Sequence, residues 1–376
     1  SGYVKWGVFF LLMLLAAGYA LKRYLASRGK GFGDLFKPAP PLPPHVAAIQ
    51  ALEALHNQKL WQNNRHKQYY SGLTDILRTY IAARWGAMAN LFAIELWSEV
   101  DLVSEFHARY TDGSILTWTR DAAAELQRWS QRKPLVSTHI CSDFNKLLQF
   151  RKLFDPKEIT HVAGDAYRDA QIHFVDHLRS YARAMKFNKP QLITEYGGPS
   201  QGSENRQLVA DIHAGLWGAS FSSLAGTPFL WWHDFVHLNQ LYGHYRGFAR
   251  FFRGIDLRSA PPTDPAPELV GNRQECEILA ATQKENAWGW IFHRASLLTY
   301  PEHPEKEPLR EKLSFRLKNV ALPPGAYRLR WYDTLSGEVV KEERVTLRAG
   351  EAPAFPVPAF RVDTAFKLEK VREEAR

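Results

Sequence analysis

Between Leu91 and Phe252 the chain repeats one pattern, an apolar run that stops at a polar cluster followed by a stretch with helical spacing. The runs are Leu91–Ile94, Leu135–Ile140, the weaker Ile159–Ala163, Gln191–Gly198 and Thr227–Asp234. Amphipathic stretches separate them. Asp121–Arg132, with Trp118, Ala122, Leu126 and Trp129 on one face, is stopped by Pro134. Ile172, Val175, Leu178, Ala182 and Met185 mark another, and Leu208–Ser222 and Leu238–Phe252 follow. Runs apolar on both faces are buried parallel strands, and parallel strands need a crossover helix between them. The alternation, met about five times, predicts an α/β fold containing part of a (β/α)8 (TIM) barrel over residues 87–258.

Leu91–Asp101 reads Leu-Phe-Ala-Ile-Glu-Leu-Trp-Ser-Glu-Val-Asp, an apolar run ending in an acidic cluster. Gln191-Leu-Ile-Thr-Glu-Tyr-Gly-Gly198 also ends on a carboxylate. In a parallel barrel all strand C-termini open on one face, so Glu99 and Glu195 are expected on the same side. Glu95 falls inside the first run and is expected buried, paired with a base from a neighbouring strand, because an unpaired buried carboxylate is costly.

The flanks have other grammars. Trp6–Leu21 is uncharged and mostly aliphatic, with Lys22, Arg23 and Arg28 after it. Residues 1–28 read as a transmembrane helix, the alternative being a signal peptide cleaved near Gly18-Tyr19-Ala20. Residues 29–44, with Lys-Pro-Ala-Pro-Pro-Leu-Pro-Pro, form a stiff linker, and 45–86 carry two amphipathic helices, Ala47–Trp61 and Tyr69–Ile81. Proline-rich 259–284 reads as a second linker. Residues 285–376 then alternate apolar and polar in short runs, with a hairpin signal at Thr334-Leu-Ser-Gly337, predicting an antiparallel β-sandwich.

A net charge of +9 permits nucleic acid or an anionic membrane as partner. The basic residues are spread out and do not interleave with stacking aromatics, so no nucleic-acid partner is expected. Cys141 and Cys276 give no disulfide framework and no zinc pattern. His173 and His177, four apart without the glutamate of a zinc motif, read as surface. The sequence holds no phosphate-binding glycine loop and no nucleophile elbow. No metal and no cofactor is expected.

Two resemblances follow from quoted residues. The hydrophobic span, Pro-Pro-Leu-Pro-Pro-His, Leu-Glu-Ala-Leu and Tyr-Tyr-Ser-Gly-Leu-Thr-Asp-Ile-Leu-Arg-Thr-Tyr-Ile, over residues 5–86, resemble the membrane-proximal tail of BatD-like bacterial membrane proteins. That implies a membrane-bound assembly role and no chemistry; protein partners stay open. Residues 79–371, through Ile-Glu-Leu-Trp-Ser-Glu-Val-Asp and Ile-Thr-Glu-Tyr-Gly, resemble clan A, family 5-like glycoside hydrolases from barrel strand four onward, with the appended sandwich.

The second resemblance implies a retaining hydrolase of a β-linked oligo- or polysaccharide. Glu99 matches the acid/base after strand four and Glu195 the nucleophile after strand seven. Retaining enzymes hold these carboxyls ~5–5.5 Å apart. Ser98 stands where the family has an asparagine that donates to the sugar 2-hydroxyl. Trp231 or Trp232 matches the sugar platform after strand eight, with His233 beside it to bond hydroxyls. Tyr167 and His161 lie near strand six, where the family orients its nucleophile. His139, a lone histidine at the end of strand five, reads first as structural. Strands one to three and their arginine have no match, which implies impaired turnover. The alternative is a non-catalytic, membrane-anchored interaction protein, a fusion or chimera with a vestigial glycosidase part. The two flanks point to opposite sides of the membrane: the basic residues put the downstream chain in the cytoplasm, and glycan hydrolysis puts it outside.

Overall fold

The computed structural model describes residues 2–28, 42–85, 88, 91–130, 132–141, 144–169, 171–184, 187–257, 262–271, 275–318, 322–350 and 353–371. They fall into two compact units, Ser1–Arg84 and Trp85–Arg376.

The first unit is helical: α1 (Gly2–Ser27), α2 (Pro44–Asn57) and α3 (His66–Trp85). Lys5–Ser27 has a mean hydropathy of 1.6 over its most apolar window and is nearly all exposed. At 1.5 Å per residue it spans roughly 35 Å, long enough to cross a bilayer. A signal sequence meets the same test. Pro44 opens α2, where its missing N–H costs nothing. Leu55 of α2 seats on Gly72 of α3, where a Cβ would lie 2.7 Å from the leucine Cδ1. Most of the expected proline linker, residues 29–41, lies outside the described residues.

The second unit begins with the alternating segment. Its elements are β1 (Ala93–Glu95), α4 (Phe106–Thr111), α5 (Ser114–Trp129), β2 (Leu135–Ser137), β3 (His139–Ile140), α6 (Phe144–Gln149), β4 (Val162–Asp165), α7 (Phe174–Ala184), β5 (Gln191–Glu195), α8 (Asn205–Ala219), α9 (His233–Leu238) and α10 (Tyr242–Phe252). β1 pairs parallel with β2, β3 with β4, and β4 with β5. Backbone bonds from Leu96 N–H to Ser137 O (2.8 Å) and from His139 N–H to Trp97 O (3.1 Å) carry the row from β1 to β3. A parallel bridge between Tyr196 and Leu230 extends it past β5. The row therefore runs in chain order with every strand pointing the same way, as right-handed crossovers dictate. Among the described residues it does not close into a ring.

Several boundaries differ from the expectation. The helix expected at Asp121 starts at Ser114, two turns earlier, because Gly113 takes a left-handed conformation and Asp112 Oδ1 accepts the Ser114 N–H. The run Thr227–Asp234 makes one bridge and turns into α9 at His233. His173 and His177 are buried, at 6% and 8% exposure, not on the surface. The sandwich covers His173, which stacks on Phe292 with ring centroids 5.9 Å apart, and His177 packs on Phe174.

The sandwich comprises β6 (Pro267–Gly271), β7 (Cys276–Gln283), β8 (Asn286–His293), the short α11 (Arg294–Leu298), β9 (Leu313–Leu317), β10 (Gly325–Tyr332), β11 (Val339–Leu347), β12 (Phe355–Pro356) and β13 (Asp363–Lys370). β6 and β7 correct the expected linker over 259–284. The proline cluster masks two apolar runs, Glu-Leu-Val and Ile-Leu-Ala-Ala, that pair antiparallel with β9 and β8. Sheet β11-β10-β13-β8-β7 faces sheet β12-β9-β6. Phe315, Trp331, Phe366, Leu329 and Ile291 fill the space between them.

The larger sheet is buried on both faces along β8 and β13, which explains the unbroken apolar run of β8. Ile291 points between the sheets, while Trp290 stacks on Trp217 of α8 at 6.0 Å. Each fully buried aromatic of this kind contributes about 1.5–3 kcal/mol. Gly247 lets α10 touch the sandwich, since a Cβ there would lie 2.6 Å from the Leu335 carbonyl oxygen. Twelve of the 15 residues of α8 are buried, because the helix is enclosed by the strands, α7 and the sandwich. Its Ala and Gly content permits that closeness.

Candidate active site

The strand ends bring together residues far apart in sequence. β1 ends on Glu95, and four residues later the backbone of Glu99 turns left-handed, at φ 49° and ψ 53°. Such a conformation is strained for a residue with a Cβ and marks a place the fold holds deliberately. Beyond the turn, Asp101 ties it down: Oδ1 accepts the Cys141 N–H at 2.8 Å, and Oδ2 pairs with Lys146 Nζ at 2.9 Å.

Glu195 closes β5 and is half-buried. The Tyr167 hydroxyl donates to its Oε2 at 3.0 Å. Burial and the nearby Asp165 charge push the Glu195 carboxyl above the usual carboxylate range, while the Tyr167 hydroxyl and His139 pull it back. Burial, then the Glu195 charge, drive Tyr167 far upward, so it stays a protonated donor. Tyr167 is placed by its neighbour. Arg168 forms a fully buried ion pair with Asp211 of α8, and Asp211 Oδ2 also accepts the Gly198 N–H at 2.8 Å. One carboxylate thus clamps the loops after β4 and β5 together.

Asp165, which the sequence reading passed over, sits at the centre. It is completely buried at the end of β4. Its Oδ1 lies 2.5 Å from His139 Nε2. One atom each of His139, Asp165 and Glu195 lie within 4.8 Å of one another, and so do one each of Glu99, Cys141 and Asp165. Both expected catalytic glutamates therefore converge on Asp165. These sets have the nitrogen, oxygen and sulfur donors of a cation site, but His139 and Asp165 are already bonded to each other and Glu195 accepts from Tyr167.

His139, expected to be structural, is 1% exposed and meets Glu95, Ser98 and the Glu99 backbone as well as Asp165. Burial lowers its basicity. The hydrogen bond and charge of Asp165, with Glu95 and Glu195, outweigh that and raise it. Glu95 is not buried as expected: its side chain is 34% exposed at the strand end, with Oε1 3.8 Å from His139 Nδ1. The expected base partner is there. Desolvation leaves the Glu95 carboxyl raised.

The other expected residues are placed unevenly. Ser98 Oγ lies 3.3 Å from His139 Nδ1. The Trp232 indole N–H donates to Gly197 O at 2.8 Å and lies over Gly197, whose φ of +133° and close indole contact exclude a side chain. Trp231 is half exposed. His233 is exposed at the start of α9, its Nδ1 3.0 Å from the Trp231 carbonyl and its Nε2 3.6 Å from Asp234. His161 precedes β4, at the opposite end from Asp165 and Tyr167, and its Nδ1 sits 3.1 Å from Thr160 Oγ1. This corrects the expectation that it lies near the end of that strand, because β4 begins one residue after it.

No protein-family model and no curated protein sequence matches the chain. Solved structures do. A family 5 glycoside hydrolase from Bacteroides vulgatus is 12% identical, with a TM-score of 0.51 over 80% of this chain and 67% of that one. A family 30 endoxylanase from Clostridium papyrosolvens is 11% identical, with a TM-score of 0.44 over 80% of this chain and 72% of that one. The BatD-like resemblance of residues 5–86 has no counterpart among these. At such identity the first likeness is one of fold: the chain has an α/β, TIM-barrel-like architecture of the kind found in glycoside hydrolases.

Proposed function

We propose that the second unit is a retaining glycosidase acting on a β-linked glycan. The convergence of Glu99 and Glu195 on one end of the strand row, with Tyr167 on Glu195, carries this reading. Glu195 is the nucleophile: its carboxylate bonds to the anomeric carbon as the bond to the leaving oxygen breaks. Glu99 gives its proton to that oxygen, then takes a proton from the water that displaces Glu195. Ser98, Trp231 and Trp232 border the sugar; His233 reaches it only through a change of rotamer. Hydrolysis of aryl β-glycosides by the wild type is expected to fall at least about 100-fold in Glu195→Ala. Equal rates for the two proteins would overturn the reading.

One observation favours the second reading, a membrane-anchored interaction protein. A cavity of about 780 Å³, lined by Arg179, Arg183, Phe187 and Phe221, opens beside Gln191, at the end of β5 away from Glu195. Sugar turnover that depends on both glutamates would exclude a purely non-catalytic role.

A further inference from the structure

His139 touches the acid/base turn and also faces the nucleophile strand. The Glu99 backbone N–H donates to His139 Nδ1 at 3.3 Å, and the Ser98 hydroxyl lies 3.3 Å from the same atom. An atom that accepts an N–H carries no proton, so in this geometry the ring's proton sits on Nε2. That proton points at Asp165 Oδ1, 2.5 Å away. Asp165 in turn lies within reach of Glu195. The His139 backbone is fixed as well, through its N–H to Trp97 O at 3.1 Å. Ring, tautomer and turn are thus set by one chain of contacts: Asp165 orients His139, and His139 holds the left-handed turn at Glu99.

We propose that His139 and Asp165 are positioning residues for the acid/base, a proposal that rests on the glycosidase reading above. They touch no substrate. Asp165 locks the imidazole tautomer, and the free Nδ1 lone pair fixes the Glu99 backbone in the conformation that aims its carboxyl at the leaving oxygen. The same contact occupies the Ser98 hydroxyl, which then has its lone pairs and not its proton to offer a sugar.

The role separates from a structural one through the leaving group. A 2,4-dinitrophenolate departs without a proton, whereas a phenolate needs one. In His139→Ala, kcat/KM is expected to fall about 100-fold or more on phenyl β-glycosides and only a few-fold on 2,4-dinitrophenyl β-glycosides, the size and pattern of a misplaced general acid. Asp165→Asn, which keeps the shape of the site, should show the same pattern more weakly. Equal losses on both substrates would overturn the proposal, since they would place the defect at Glu195 or in folding. Glu195→Ala serves as the control: if it loses neither substrate, the reading of the site fails instead. Nitrogen-15 NMR tests the contact without substrate. The Glu99 amide proton should move in His139→Ala and Asp165→Asn and stay in Tyr167→Phe. An amide unmoved in the first two variants would sink the proposal whatever the activity.

Discussion

At the scale of single residues, the site holds like charges close together and offsets them with the Tyr167 hydroxyl and the His139 ring. Glu195 has Asp165 beside it, and Tyr167 and His139 offset that charge. The nucleophile must be ionised, so activity is lost as pH falls through the raised Glu195 value, and the acid limb should lie above the ordinary carboxylate range of about 4.3. Tyr167→Phe deletes a hydrogen bond that favours the ionised form. Its kcat/KM–pH profile should shift the acid limb further up; a limb that stays or moves down would refute the role given to Tyr167. Glu99 and Glu195 were legible in the sequence because each ends an apolar run. Asp165 was not: Val-Ala-Gly-Asp is a short strand with a glycine in it, and no pattern says that its carboxylate turns inward. His139 looked like any core histidine until its four neighbours were in place.

At the scale of elements, much of the second unit depends on helices α7, α8 and α10 closing against the sandwich. That contact buries histidines in their neutral form. Burial, then His213 nearby, push His244 of α10 down to about 3, opposed by Asp363. Burial, then Arg294, push His173 down to about 4. Tyr300 also packs on His244, at 5.4 Å. Between about pH 6.5 and 4 the unfolded chain binds protons at both sites and the folded chain does not. Stability is therefore full above the unfolded value near 6.5 and declines as pH falls below it. His139 works the other way, since its basicity is raised on folding. The urea midpoint of the wild type should drop from pH 7 to pH 5, and His244→Gln should flatten that drop; a variant with an unchanged slope would remove His244 from the account. These contacts join residues as far apart as His213 and Asp363, and no local pattern encodes them. The same blindness turned β6 and β7 into an expected linker.

At the scale of the whole molecule, the chain pairs an apolar helix with a hydrolase-like fold. We propose that α1 anchors the protein in a membrane as a single span. The full chain should float with phospholipid vesicles, and a chain lacking residues 2–27 should stay in the soluble fraction. Flotation of both would place the membrane contact elsewhere. Protease added outside sealed vesicles then reports the side, since digestion of the strand-and-sandwich unit requires it to be external. The glycan reading requires the outer side, and the basic residues after α1 favour the inner one.

By itself the sequence determined the alternation of strands and helices, its parallel or antiparallel grammar, and a glutamate at or shortly past two strand ends. Those features are written in local periodicity, which responds to what a segment buries and to where the burial stops. Tertiary structure alone decided that the two glutamates meet on Asp165, that His139 holds the turn at Glu99, and that His161 and His233 stand apart. It also decided that His173 lies under the sandwich and that His177 is buried. Those outcomes depend on distances between segments that are remote in the chain. A side chain's chemistry is set by the neighbours that packing brings to it, and one sequence read along its length does not contain them.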